Sequence, residues 1–157
     1  MTSAEIVFSI LTKNEADMSY LWVTVGSALG GLLRYAITRL TFSYSTGFPL
    51  GTVFINVLGS FVIGYFGTLT LHSGKYPVSE NVRLFVMVGV CGGFTTFSSF
   101  SLQTFDLARS GAWGRALANI VFSVVLCVAA VAAGHRLAQH SVPDVAIAET
   151  TEEEYTG

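Results

Sequence analysis

Between Gly89 and Ser101 the chain reads Gly-Val-Cys-Gly-Gly-Phe-Thr-Thr-Phe-Ser-Ser-Phe-Ser, uncharged and set inside an apolar segment. Three glycines, two threonines and three serines crowd into it, a poor composition for an unbroken helix. The expectation is a helix broken at membrane depth. Backbone freed from its helical partners cannot face lipid, because hydrocarbon offers nothing to hydrogen-bond with; it must be buried in protein or line a cavity or ion site. The break therefore predicts a site.

Few other groups in the apolar segments could do chemistry. Asn56 is costly in hydrocarbon unless its amide meets a partner or a wet path, so it is either a pore-lining donor or an interhelical hydrogen-bonder. Arg34 has no acidic residue in any expected span to pair with, which makes it a charge that snorkels or sits in an aqueous vestibule and draws anions inward. Asn119, Ser123 and Cys127 recur at i, i+4 and i+8 on one helix face, either a polar track or plain helix packing. Phe97 and Phe100 also share a face; such a pair is core filler, or it turns the positive edges of its rings to an anion. Amides, hydroxyls, ring edges and one arginine, with no embedded carboxylate, make an anion's surroundings. A small, tightly hydrated anion needs several donors along its path, and a narrow path excludes larger halides.

Elements must exist to hold these groups. The 157 residues are 52% hydrophobic and 11% charged, with a mean hydropathy of +0.61, against about 25% charged in ordinary soluble domains. This is a membrane protein. Apolar segments of bilayer-crossing length run over 19–40, 50–71, 84–105 and 116–134, giving an all-α class with four transmembrane helices, the third broken near its middle. In the first, Gly26, Ser27, Gly30 and Gly31 offer a neighbouring helix close approach; in the second, Gly51, Gly59, Ser60, Gly64 and Gly67 mark a close-packed face. Pro49 suits the first turn of the second helix. The stretches 41–47, 72–83 and 106–115 read as polar connections, with Trp113 an interface aromatic.

Residues 1–18 form an N-terminal extension, 19–137 the transmembrane domain and 138–157 an acidic tail of disordered composition. Met1 to Asp17 lacks a basic n-region and a small-residue cleavage site, so it reads as a short interfacial helix or a disordered end, not a signal peptide. The net charge of −2, without a basic run, leaves no basis for nucleic-acid binding. Cys91 and Cys127 sit in apolar surroundings without metal-ligand spacing and read as free thiols. With four crossings both termini share a side. Lys13, Lys75, Arg83 and Arg136 then oppose Arg39, Arg109 and Arg115, a split too even to set an orientation. It fits both dual insertion, in which two copies pair upside down, and one weakly specified orientation.

With these residues placed, the chain from Gly26 to Arg136 resembles the Fluc/CrcB fluoride channel family. The resemblance rests on Gly30-Gly31-Leu32-Leu33-Arg34-Tyr35, on Pro49-Leu50-Gly51-Thr52 with Asn56, Gly59, Ser60 and Phe61, and on Gly92-Gly93-Phe94-Thr95-Thr96-Phe97-Ser98-Ser99-Phe100-Ser101. It implies an antiparallel homodimer with two fluoride pores along the subunit interface, in a bacterial inner membrane. Asn56 would line the pore, Phe97 and Phe100 would present ring edges, and Ser98, Ser99, Asn119, Ser123 and Cys127 would continue the polar path. Arg34 would stand in the vestibule. Backbone carbonyls of Gly92 and Thr95 from both subunits would hold a structural sodium ion. The family often carries Tyr at the position of Asn119 and Ser at that of Cys127, so the polar track differs here.

Other functions fit less well. A small dual-topology multidrug exporter needs a membrane carboxylate to exchange protons for substrate. A membrane enzyme or haem carrier would have only His72, His135 and His140, all at or beyond span ends. A structural subunit has no use for a polar break.

Overall fold

The computed structural model describes residues 3–71 and 76–140, with side chains from residue 18 onward. The first helix, α1 (Ser3–Thr41), is continuous from the N-terminal stretch through the first crossing. A single 3₁₀ turn, Phe42–Tyr44, and a short loop lead to α2 (Leu50–Leu69), with Pro49 as its N-cap and the Ser45 hydroxyl accepting the Gly51 amide at 3.1 Å. The third crossing, Glu80–Arg109, is the composite one. It opens as α3 (Glu80–Arg83), widens into a π-helix over Leu84–Cys91, tightens into α4 (Gly92–Phe94), breaks, and restarts as α5 (Phe97–Arg109). The fourth is α6 (Trp113–His140). Four segments are thus long and apolar enough to cross a membrane. His72, Lys75 and the acidic tail from residue 141 lie outside the described residues.

Packing is inverted relative to a soluble protein. Large apolar side chains such as Leu32, Leu40 and Val128 face outward, while Asn119, Ser123, Thr96 and Thr70 are buried. With lipid as solvent, an outward leucine costs nothing and an outward amide costs a great deal. The helices approach at their small residues. A side chain at Gly26 would meet the Phe85 carbonyl oxygen at 2.6 Å, and one at Gly93 the Ser27 Cα at 2.9 Å, so α1 lies directly on the π segment and α4. Gly31 has nothing within 4 Å and takes no part in that contact. The glycines of α2 do not form one face. Gly51 packs on Thr41, Gly59 on Thr95, Gly64 on Val131 and Gly67 on Met87, so they thread α2 among the three other crossings. Its longest contact is with α6.

Two expected loops are partly helix: residues 80–83 of the first, and all of the second except Ser110–Ala112. The third crossing begins before residue 84 because Arg83 is not solvated: its Nη1 donates to the Gly67 carbonyl at 3.3 Å and to Thr70 Oγ1 at 2.8 Å. It thereby closes the carbonyl end of α2. The connection expected over 106–115 shrinks to Ser110–Ala112. Gly111 takes φ +80, its amide bonding Ala108 and the Ala112 amide bonding Leu107, a Schellman stop that only a glycine adopts without strain. As a result Asp106 falls inside α5, exposed near its end, so the third crossing is not free of acid as the sequence suggested.

Candidate functional site

The helix break is two residues long. Gly92 and Gly93 remain helical; the extended residues are Thr95 (φ −75, ψ 159) and Thr96 (φ −151, ψ 103). Threonine is β-branched and at ease in extended backbone, whereas Gly93 is required for the close approach of α1. The amides and hydroxyls of both threonines have partners. The Thr95 amide and hydroxyl both donate to the Cys91 carbonyl, each at 2.9 Å. Thr96 Oγ1 accepts the Ser99 amide at 3.2 Å, an N-cap for α5, and donates to Ser99 Oγ at 2.9 Å, with Ser98 Oγ at 3.3 Å. The pattern Thr-x-x-Ser ahead of a helix was the available signal for this cap.

Asn56 is the long-range member. Its Oδ1 accepts the Thr96 amide at 2.8 Å and its Nδ2 donates to the Thr96 carbonyl at 3.2 Å. One side chain so satisfies both backbone groups of the residue at the break. The amide retains a second N–H, which the Thr96 bond does not use. The same arrangement releases carbonyls on the N-terminal side of the break, those of Gly92 and Thr95 among them. In a regular helix Gly92 would accept the Thr96 amide and Thr95 the Ser99 amide; here both amides are committed, to Asn56 and to Thr96 Oγ1. Gly92 is exposed, with open space beside it.

Next to the break lies an open groove of about 300 Å³. Asn56, Gly59, Ser60 and Ile63 line it from α2, Thr95, Phe97 and Phe100 from the third crossing, and Ser123, Val124 and Cys127 from α6. The rings of Phe97 and Phe100 are 5.4 Å apart, tilted by 45°, and Phe97 is 77% exposed on the rim. Among the described residues no carboxylate lines the groove. Its polar groups are hydroxyls and an amide, which can donate to an anion.

The structure thus brings together Asn56, Phe97, Phe100, Ser123 and Cys127, but not every expected residue. Asn119 is 1% exposed and stands behind the groove. Its Nδ2 donates to Thr104 Oγ1 at 2.7 Å, Thr104 in turn donates to the Phe100 carbonyl at 2.7 Å, and Ser123 Oγ donates to Asn119 Oδ1 at 3.4 Å. Here the residue ties α6 to the turn that carries Phe100. Ser98 and Ser99 belong to the cap around Thr96 and do not line the groove. Arg34 is half-buried on α1, away from the groove lining. Thr96, Thr104 and Ser60 are the participants that residue type alone did not single out.

The region that holds these positions has known relatives. Residues 21–135 match the model of a family described as CrcB-like protein, Camphor Resistance. A protein of Methylobacterium radiotolerans named fluoride-specific ion channel FluC is 63% identical over 118 residues, 75% of this chain and 82% of the relative. One of the same name from Gluconobacter oxydans is 58% identical over 136 residues, 85% of this chain and 94% of the relative. A third, from Opitutus terrae, is 54% identical over 117 residues, 74% and 89% of the two chains.

Proposed function

Because the chain belongs to the CrcB-like family, matched over residues 21–135, we propose that it is a fluoride-specific ion channel, a multi-pass membrane protein and not an enzyme. The observation that carries the reading is the groove itself, where a broken helix, an amide, hydroxyls and two phenylalanine rings meet with no carboxylate among the described residues. Fluoride holds its hydration shell tightly and sheds it only where donors replace water throughout. The spare N–H of Asn56 and the hydroxyls of Ser60 and Ser123 supply donors on one wall. The Phe97 and Phe100 edges supply partial positive charge on another. Arg34 adds an attractive charge on the approach.

An open groove lacks a wall, and its rim residue Phe97 is exposed. A second copy completes it in our reading, as an antiparallel homodimer in which each groove becomes one of two pores. The even distribution of Lys and Arg supports insertion in both orientations. The carbonyls of Gly92 and Thr95, whose helical partners are spent elsewhere, fit a small hard cation, and sodium is the proposed occupant. Bound there, it would supply structural charge compensation for the open backbone and take no part in conduction. Placement in a bacterial inner membrane suits the chemistry: fluoride enters a cell as the neutral acid, is trapped as the anion, and leaves down the membrane potential. A multidrug exporter remains disfavoured, since Asp106 is exposed at the end of α5 and no acid reaches the groove.

Cys127 tests the path directly. It lines the groove, whereas Cys91 is 2% exposed. A small water-soluble methanethiosulfonate reagent is expected to slow fluoride efflux from proteoliposomes, and Cys127→Ser to abolish that sensitivity. Undiminished efflux after verified labelling of Cys127 would take the groove out of the path.

A further inference from the structure

A second cavity, of about 340 Å³, opens where the loop between α1 and α2 meets the end of α5 and the start of α6. Ser45 and Thr46 line it from the loop, Gln103, Asp106 and Ser110 from α5 and its stop, and Arg115 from α6. The fluoride reading gives it no task. Its volume is that of a small-molecule site, for which about 300–1,000 Å³ is usual. The level is interfacial: the cavity lies at helix ends, beside Trp113, which is 70% exposed, as aromatic residues are at the headgroup layer.

The charges define what fits. Arg115 donates one N–H to the Gly47 carbonyl at 2.9 Å, which fixes the guanidinium at the cavity wall with other donors free. Asp106 faces the same cavity, and among the described residues the two are not paired with one another. One cation and one anion lining a single cavity suit a ligand carrying both a phosphate and an N–H-bearing cation.

We propose that this cavity binds the headgroup of a phospholipid with a primary ammonium, that is, phosphoethanolamine chemistry. Arg115 takes the phosphate; Asp106 accepts from the ammonium. A choline headgroup has no N–H to donate, and an anionic headgroup brings a second negative charge to Asp106. The acyl chains stay in the bilayer, which is why the lipid and not a free zwitterion is the occupant. The inference is independent of ion conduction, and its test does not use conduction as a readout.

Native mass spectrometry of the purified full chain, offered equal amounts of phosphatidylethanolamine, phosphatidylcholine and phosphatidylglycerol with matched acyl chains, decides it. The ethanolamine lipid is expected to be retained about tenfold over either competitor, the worth of one charge-assisted hydrogen bond pair. Asp106→Asn is expected to erase the preference over choline, and Arg115→Gln to lower retention of the ethanolamine lipid itself, with unchanged melting temperatures. Independently of any variant, N-methylation of the headgroup lowers retention stepwise in the unaltered protein. Equal retention of the three lipids, preference for phosphatidylglycerol, or indifference to headgroup methylation would overturn the proposal.

Discussion

Asn56→Asp is expected to suppress fluoride efflux by more than about a hundredfold. The carboxylate still accepts the Thr96 amide, but it has no N–H for the Thr96 carbonyl, 3.2 Å from the present amide nitrogen. An unmet buried carbonyl costs about 1–3 kcal/mol, which weakens the break without unfolding four crossings. The larger effect falls on the ion. A unit charge about 4 Å from fluoride at an effective dielectric near 20 repels it by roughly 4 kcal/mol, close to a thousandfold in rate. Efflux is followed with a fluoride electrode on proteoliposomes, and protein that elutes with the unaltered channel on gel filtration confirms the fold. Efflux within about twofold of the parent would contradict both the donor role and the latch, since neither tolerates the exchange.

Gly64→Val is expected to prevent assembly of the helix bundle altogether. A Cβ at Gly64 would run into the Val131 carbonyl oxygen and lie 3.0 Å from the Val131 carbonyl carbon and Cα. All are backbone of α6, which cannot rotate away as a side chain would. Gly134 makes the reciprocal contact, its added Cβ 2.8 Å from the Tyr65 amide. Overpacking a core costs about 1–3 kcal/mol when side chains can shift, and more is expected where two helix axes must separate. Moving α2 off α6 also carries Asn56 and Ser60 away from Ser123 and Cys127, dismantling the groove. Gly114→Ala, at a glycine with nothing within 4 Å, serves as the silent control. Thermal unfolding in detergent reports the difference; a Gly64→Val protein that melts with the parent would mean the α2–α6 contact is not the spine of the fold.

Much of this molecule was readable from its residues because lipid leaves a chain few choices. Runs of about 20 apolar residues cross, and uncompensated backbone at depth marks a site, so the four crossings and the broken third one could be derived before any coordinates. Residue type and shared faces singled out Asn56, Phe97, Phe100, Ser123 and Cys127 but left each between helix packing and a polar path; the pore role came from the family resemblance, and the structure places these five around one groove. What could not be read was which residues the break consists of. Glycines and hydroxyls together marked the stretch from Gly89 to Ser101 without saying where in it the helix opens; Gly92 and Gly93 are helical and Thr95 and Thr96 are extended. The deciding bond runs from Asn56 to Thr96, 40 positions along the chain, and no local preference encodes such a partner. Asn119 shows the same limit. Its stripe with Ser123 and Cys127 fixes a face, but only packing against α5 shows that Thr104 takes its amide. Arg83 looked like a loop charge because a sequence does not reveal which helix end lies beside it.

The central claim is that a donor-lined groove without carboxylates conducts fluoride and excludes larger halides. Its most direct test is fluoride release from proteoliposomes of the purified full chain, driven by a potassium diffusion potential and read with a fluoride electrode, with chloride in a parallel vesicle set. Rapid, potential-driven release of fluoride with chloride retained is the predicted result; retention of fluoride, or release of chloride at a comparable rate, would contradict it.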